Sequence, residues 1–365
     1  MDHPHRGEEE SVFVPGFRIL PAVNHSGRSE NYCVTKPEGS SRSTIVEVAK
    51  ILKGVPATNL GFGLELVVPG LNLPGIDQDG NGTIDSAEGV NAAPPRSIIG
   101  SRDGLRQTVA DQLVRVIQTG GIPDLSQEKI YYAGQSFGGI YGVKLLALED
   151  SIRAGVPNVP GGPIIDVARL GGFRPLVGIS LGSRVPSLLN AGPLAPPAWG
   201  FNENIPLRDL PTVINAVPGA MAVQEVIDNT EWVSQSGNPV AYAPHLRKSP
   251  LHGIDPPPVI IQFAKGDQTV PNPTPSAIFR AGDLTDRSTH FRNDLVRAAR
   301  PGAPANPHTF LTNIASPAVA DLAIAGQTQI AIFFESDGTA IVDRDGAAPF
   351  FEVPIAGPLP EGLNF

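Results

Sequence analysis

The chain has 365 residues, 41% hydrophobic and 17% charged, with a formal net charge of −9; Gly (40) and Pro (38) make up about a fifth of it. That length holds one large α/β domain of roughly 250–300 residues with insertions, or two ordinary domains, and the apolar share excludes a wholly disordered chain. The glycines and prolines follow no period, which excludes collagen, and an acidic chain without a basic run lacks the electrostatic footprint for nucleic acid or anionic lipid.

Residues 1–28 are polar and broken by Pro and Gly, and read as an arm with one short strand near 12–20. Their opening lacks the apolar core of a signal peptide. Cys33 is the sole cysteine, so no internal disulfide and no Cys-based zinc site is expected. Apolar residues at helical spacing predict a helix over 43–53, and a short strand follows at 64–68. After a polar loop at 77–88 come a helix over 103–118, a strand at 130–133, a helix over 139–149 and a strand at 152–156. The block 163–250 loses this alternation, is rich in Pro, Leu, Asn and Gly, and keeps short helical pieces such as 213–229. Strand and helix resume with a strand at 259–263, a helix at 275–281, a strand at 289–296 and a helix near 317–325. Segments 329–334 and 339–343 flank Ser336-Asp337-Gly338 and read as a hairpin. No stretch approaches the ~18 apolar residues of a membrane span. Alternating strands and helices predict an α/β fold with a mainly parallel sheet covered on both faces. The divisions are an arm at 1–28, a core at 29–162, an inserted cap at 163–250, a second core part at 251–328, and a hairpin and tail at 329–365.

Gly134-Gln135-Ser136-Phe137-Gly138 is G-x-S-x-G between a predicted strand and a predicted helix. Such a turn strains the serine backbone and lifts its hydroxyl clear of the sheet, while the N–H of Phe137, at a helix N-terminus, can stabilise an oxyanion. A second copy centres on Ser180, but Pro186 would fall inside its following helix, so Ser180 reads as a turn residue. A serine of this kind needs an acid and then a histidine later in the chain. Asp267 follows the buried strand and the turn Lys265-Gly266, ahead of Asp255, Asp283 and Asp286 as the candidate acid. His308 closes a Pro- and Ala-rich loop, whereas His245 and His252 precede the acid and His290 lies inside a predicted strand. Imidazole is the side chain that takes and returns a proton near neutral pH.

Serine turn, late acid and final histidine in this order resemble the α/β-hydrolase superfamily. GQSFGG, KGDQTVP and NPHTFL look closer still to bacterial lipase-like serine esterases with a large cap. The resemblance spans roughly residues 40–325. It implies ester hydrolysis through an acyl-serine, with Ser136 as nucleophile, His308 as base and Asp267 as its orienter. These enzymes carry a His-Gly loop for a second oxyanion donor. The equivalent stretch here, 32–42, has none, leaving the backbone N–H of Gly39 or Ser40 as the candidates. Without one, the alternative is a catalytically impaired, calcium-stabilised binding module.

The loop at 77–88 matches the twelve-residue calcium pattern: Asp77, Asp79, Asn81, Thr83 through its carbonyl, Asp85 and Glu88 as ligands, with Gly82 at the tight sixth position. Prolines on both sides argue against a paired EF-hand, so a structural Ca²⁺ is expected, favouring surroundings outside the cytosol. Asp343-Arg344-Asp345-Gly346 begins similarly, lacks the remaining ligands and reads as a turn. No organic cofactor is expected. The substrate is a small-molecule or lipid ester.

Overall fold

The computed structural model describes residues 97–118, 129–191, 200–204, 217–346 and 348–363, with the backbone of three short strands at 13–14, 17–18 and 32–35. The helix expected at 43–53, the strand at 64–68, Gly39, Ser40 and the loop 77–88 lie outside these residues. Where the sequence reads one strand near 12–20, β1 (Phe13–Val14) and β2 (Phe17–Arg18) pair antiparallel.

A six-stranded sheet runs in chain order through β3 (Tyr32–Thr35), β4 (Ile130–Gln135), β5 (Ile152–Asn158), β6 (Ile261–Ala264), β7 (Ser288–Phe291) and β8 (Phe351–Glu352). The four central strands are parallel, and β3 and β8 close the edges antiparallel. This is the α/β architecture with a mainly parallel sheet. Pleating sends alternate residues to opposite faces. Ile130 and Tyr132 of β4, with Ile261 and Phe263 of β6, join one buried cluster with α1 (Ser97–Gln118), α2 (Phe137–Leu148) and the helix after β6. Tyr131, Ala133, Ala154, Val156 and Ile260 face the other way, onto Phe333 of the C-terminal helix. Leu145 and Leu146 of α2 are almost completely buried, which contributes about 1.5–3 kcal/mol each.

Between β5 and β6 the chain forms α3 (Ile164–Leu170), α4 (Arg174–Gly182), α5 (Ala220–Ser234) and α6 (Pro239–Tyr242). Val177, Leu181, Phe201, Val223 and Ile227 make a separate small core inside this block. A bidentate pair between Arg174 and the buried Glu203 fastens α4 to the segment after it. The block rests on the loop after β6, where Gly172 N donates to Gln268 O at 2.9 Å.

After β6 come α7 (Pro273–Gly282), α8 (Asn293–Ala299) and α9 (Ala320–Glu335). Two sequence expectations fail here. The strand expected over 289–296 ends at Phe291, and α8 takes its second half. The hairpin expected at 329–343 is absent: α9 runs to Glu335, burying Leu322, Ala323, Gly326, Gln329 and Phe333 at helical spacing. Ser336-Asp337-Gly338 stops that helix. Asp337 N bonds Phe334 O and Gly338 N bonds Phe333 O, with φ of 49° and 80° at the two residues, the glycine-assisted C-terminal motif. Of the expected turn at Asp343 to Gly346, Arg344 and Asp345 form a bend and Gly346 enters a turn closed by Ala348 N on Asp345 O. No helix of the described residues is long and apolar enough to cross a membrane.

Candidate active site

β4 runs into α2 through Ser136, whose φ of 58° and ψ of −115° lie outside the regions an L-residue favours. The turn is tight because strand and helix touch: a Cβ on Gly134 would stand 2.4 Å from Gly138 O, and one on Gly139 would stand 2.7 Å from Asn158 O. Ser136 N donates to Asn158 O at 2.9 Å, tying the turn to the end of β5. A serine at a helix N-cap ordinarily turns its hydroxyl onto the helix's free N–H groups. Ser136 makes no such cap; its Oγ lies 2.8 Å from His308 Nε2.

His308 Nδ1 lies 2.8 Å from Asp267 Oδ2, so one chain of hydrogen bonds links Ser136, His308 and Asp267. His308 is 2% and Asp267 1% exposed. The carboxylate is oriented from behind: Oδ1 accepts the N–H groups of Thr269 and Val270, both at 2.8 Å. With Oδ2 accepting from Nδ1–H, Nε2 is left as the acceptor for the serine proton. Phe137 is the first residue of α2, where an N–H has no partner inside the helix. The residue is 37% exposed, and its ring stacks on Tyr141.

Two asparagines that sequence reasoning missed hold the loops in place. Asn306 Oδ1 accepts from Gln268 N at 3.1 Å and His308 N at 3.2 Å, while its Nδ2 donates to Thr269 Oγ1 at 2.9 Å. The acid loop and the histidine loop are thereby clamped together. Asn272 bridges Gly266 N and Ala264 O across the turn after β6. The signal for Asn306, an Asn two residues before a candidate His, was present in the sequence as ordinary Asx-turn chemistry, whereas Asn272 reaches back six and eight residues and has no such local signal.

The other candidates lie elsewhere. Ser180 is an exposed residue inside α4, not in a turn, because a helix opens there with Pro175 in its first turn. His290 is buried in β7, stacked on Phe263 at 4.5 Å and 3.1 Å from Glu352, and burial lowers its pKa. His245 bonds Ser249 O, Asp283 caps α7, and Asp286 pairs with Arg247. A cavity of about 430 Å³, lined by Gln107, Lys144 and Tyr242 among others, contains no member of the hydrogen-bonded chain. Among the described residues no group of three or more His, Cys, Asp or Glu is placed to hold a metal ion.

A strand, strained serine and helix in a mainly parallel sheet, with acid and histidine on later loops, is the arrangement of the α/β-hydrolase fold. No protein-family model matches the chain, and no curated protein does. Among solved structures, an acylaminoacyl peptidase from Pyrococcus horikoshii in an orthorhombic crystal form is similar over 67% of this chain, with a TM-score of 0.37 and 11% identity. The match covers 30% of that protein's chain.

Proposed function

We propose that the protein is a serine hydrolase acting on carboxylic esters through an acyl-serine intermediate. The observation that carries this reading is the hydrogen-bonded chain from Ser136 Oγ through His308 to Asp267, standing on a strained turn. Ser136 Oγ attacks the ester carbonyl carbon while its proton passes to His308 Nε2. Asp267 holds the imidazolium by its Nδ1–H. The carbonyl oxygen becomes an oxyanion and accepts from the N–H of Phe137, with Gly39 or Ser40 proposed as second donor. As the C–O bond breaks, His308 gives its proton to the departing alcohol. Water then repeats the sequence on the acyl-serine and releases the acid.

The helical block over 163–250 is proposed as the cap. Support comes from its seat on the loop that carries Asp267, and from the exposed Leu176 and Ile179 on α4 with Phe173 just ahead of it. These favour an ester with an apolar acyl chain. The loop 77–88 is proposed to hold a structural Ca²⁺, a reading supported by its hard oxygen donors, and no catalytic step passes through it.

The test is labelling with a fluorophosphonate, which needs an activated serine. The native protein and Ser180→Ala are expected to label and to hydrolyse p-nitrophenyl butyrate, and Ser136→Ala to do neither. A labelled peptide that contains Ser180 and not Ser136 would sink the assignment.

A further inference from the structure

Four neighbouring residues of the parallel strands stand in one register row: Gln135 beside Asn158, Asn158 beside Gln262, Gln262 beside Thr289. All four are buried. They face α9, on a surface shared with Tyr131, Ala133, Ala154, Val156, Ile260, Ala264 and Phe291. Burying amides there costs stability that aliphatic side chains would not. The row is also incompletely bonded. Gln135 Oε1 and Asn158 Oδ1 are buried with no hydrogen-bond partner. A line of polar groups that is not the stability optimum calls for another reason to be there.

Its connections point to one. Asn158 Nδ2 donates to Gln262 Oε1 at 2.9 Å. Gln262 Nε2 donates to Gln329 Oε1 of α9 at 2.9 Å and to Gly326 O at 3.1 Å. Thr289 Oγ1 donates to the same Gln329 oxygen at 2.8 Å. At the other end the row meets the nucleophile turn, because Asn158 O accepts from Ser136 N. The next residue, Val159, is buried with φ of 42°, an outlier for a β-branched side chain that persists only where its surroundings over-determine it. Gln262 holds both members of this pair, Asn158 through its side chain and Val159 through its backbone oxygen at 2.7 Å.

We propose that this buried amide row, centred on Gln262 and anchored on Gln329, is a positioning device that holds the end of β5 in its strained form and so sets where Ser136 stands. Gln262 is a positioning residue, acting through Asn158 and the Ser136 N–H. The proposal rests on the reading of Ser136 as nucleophile.

The experiment compares the native protein with Gln262→Met, Gln329→Met, Gln262→Glu and Phe333→Leu. The readouts are fluorophosphonate labelling rate, kcat and KM for p-nitrophenyl butyrate, and melting temperature. Gln262→Met conserves volume and removes the bonds. It should lower the labelling rate and kcat about tenfold or more, as misplacement of a reacting group does, with KM within about twofold. Gln329→Met, remote from the nucleophile, should slow labelling by about threefold, a smaller misplacement. Gln262→Glu should recover most of the native rate, since a carboxyl buried there stays protonated and can accept from Asn158 while donating to Gln329. Phe333→Leu, in the same face but outside the row, should lose melting temperature and keep the native rate. A native labelling rate in either folded Met variant overturns the proposal, as does an equal slowing in Phe333→Leu at an equal loss of melting temperature. An unlabelled native protein would overturn the nucleophile reading itself, an outcome distinct from a labelled native protein matched by its Gln262 variants.

Discussion

Asp267→Asn probes the link between the imidazole and its acid with little change of shape. Asparagine offers one oxygen where aspartate offers two. Two backbone donors, Thr269 N and Val270 N, already claim an oxygen at 2.8 Å each. Rotating the amide to face them with its NH₂ forfeits both bonds, at about 1–3 kcal/mol for each donor left unpaired. The oxygen therefore stays on Thr269 and Val270, and the NH₂ faces His308 Nδ1. That nitrogen must then accept, which moves the imidazole proton to Nε2, the atom 2.8 Å from Ser136 Oγ. A protonated Nε2 in neutral imidazole cannot take the serine proton. Trapping the wrong tautomer in this way costs about 10⁴ in kcat, or about 5 kcal/mol of transition-state stabilisation. The fold should survive with a melting temperature lowered by about 5 °C or less, since most bonds of the acid loop remain. Steady-state hydrolysis of p-nitrophenyl butyrate gives kcat, and a thermal melt checks folding. A folded Asp267→Asn protein with turnover within about tenfold of native would refute this role for Asp267.

Gly134→Ala places a methyl 2.4 Å from Gly138 O, a backbone atom that cannot rotate aside, so stability should fall by about 3 kcal/mol and labelling should be lost, read by denaturant titration and probe. Burial pushes Lys144 down to about 7 from its ordinary 10.5, with Leu105 O and Gly237 O as its acceptors. The unfolded chain then holds more protons than the folded one between these values, so stability should rise with pH from about 7 towards 10.5. Lys144→Met should flatten that rise in urea titrations at pH 7 and pH 9, and an unchanged slope would show that Lys144 does not cause it. For the loop 77–88, chelation by EDTA should lower the melting temperature and millimolar calcium restore it, because a bound ion stabilises the folded state by mass action. Glu88→Gln should reproduce the chelated melt without changing which esters are cleaved, and calorimetry showing no calcium uptake would reduce the loop to an acidic turn.

How much of this was legible in the sequence depended on how far apart the deciding residues stand. The turn at Ser136 was readable because its requirements lie within a few positions: a strand before, glycines at 134 and 138, and a helix after. Asp267 and His308 were readable as residue types on loops behind predicted strands, in the order such a serine requires. The same local pattern misled at Ser180, where a helix opens with Pro175 in its first turn, and at 329–343. There a short apolar run has no period long enough to separate strand from helix, and burial of Phe333 against Tyr131 and Ile260 decided for helix. Asn306 was visible, but its clamp was not, since nothing in the chain says that residue 306 will meet residues 268 and 269. The amide row is the extreme case. Gln135, Asn158, Gln262, Thr289 and Gln329 are scattered over nearly two hundred positions, and each alone reads as an unremarkable polar residue. They become neighbours only once parallel pairing brings residues distant in sequence to adjacent strands and sets the register that turns them to one face, because strand order and register are properties of the packed sheet rather than of any segment.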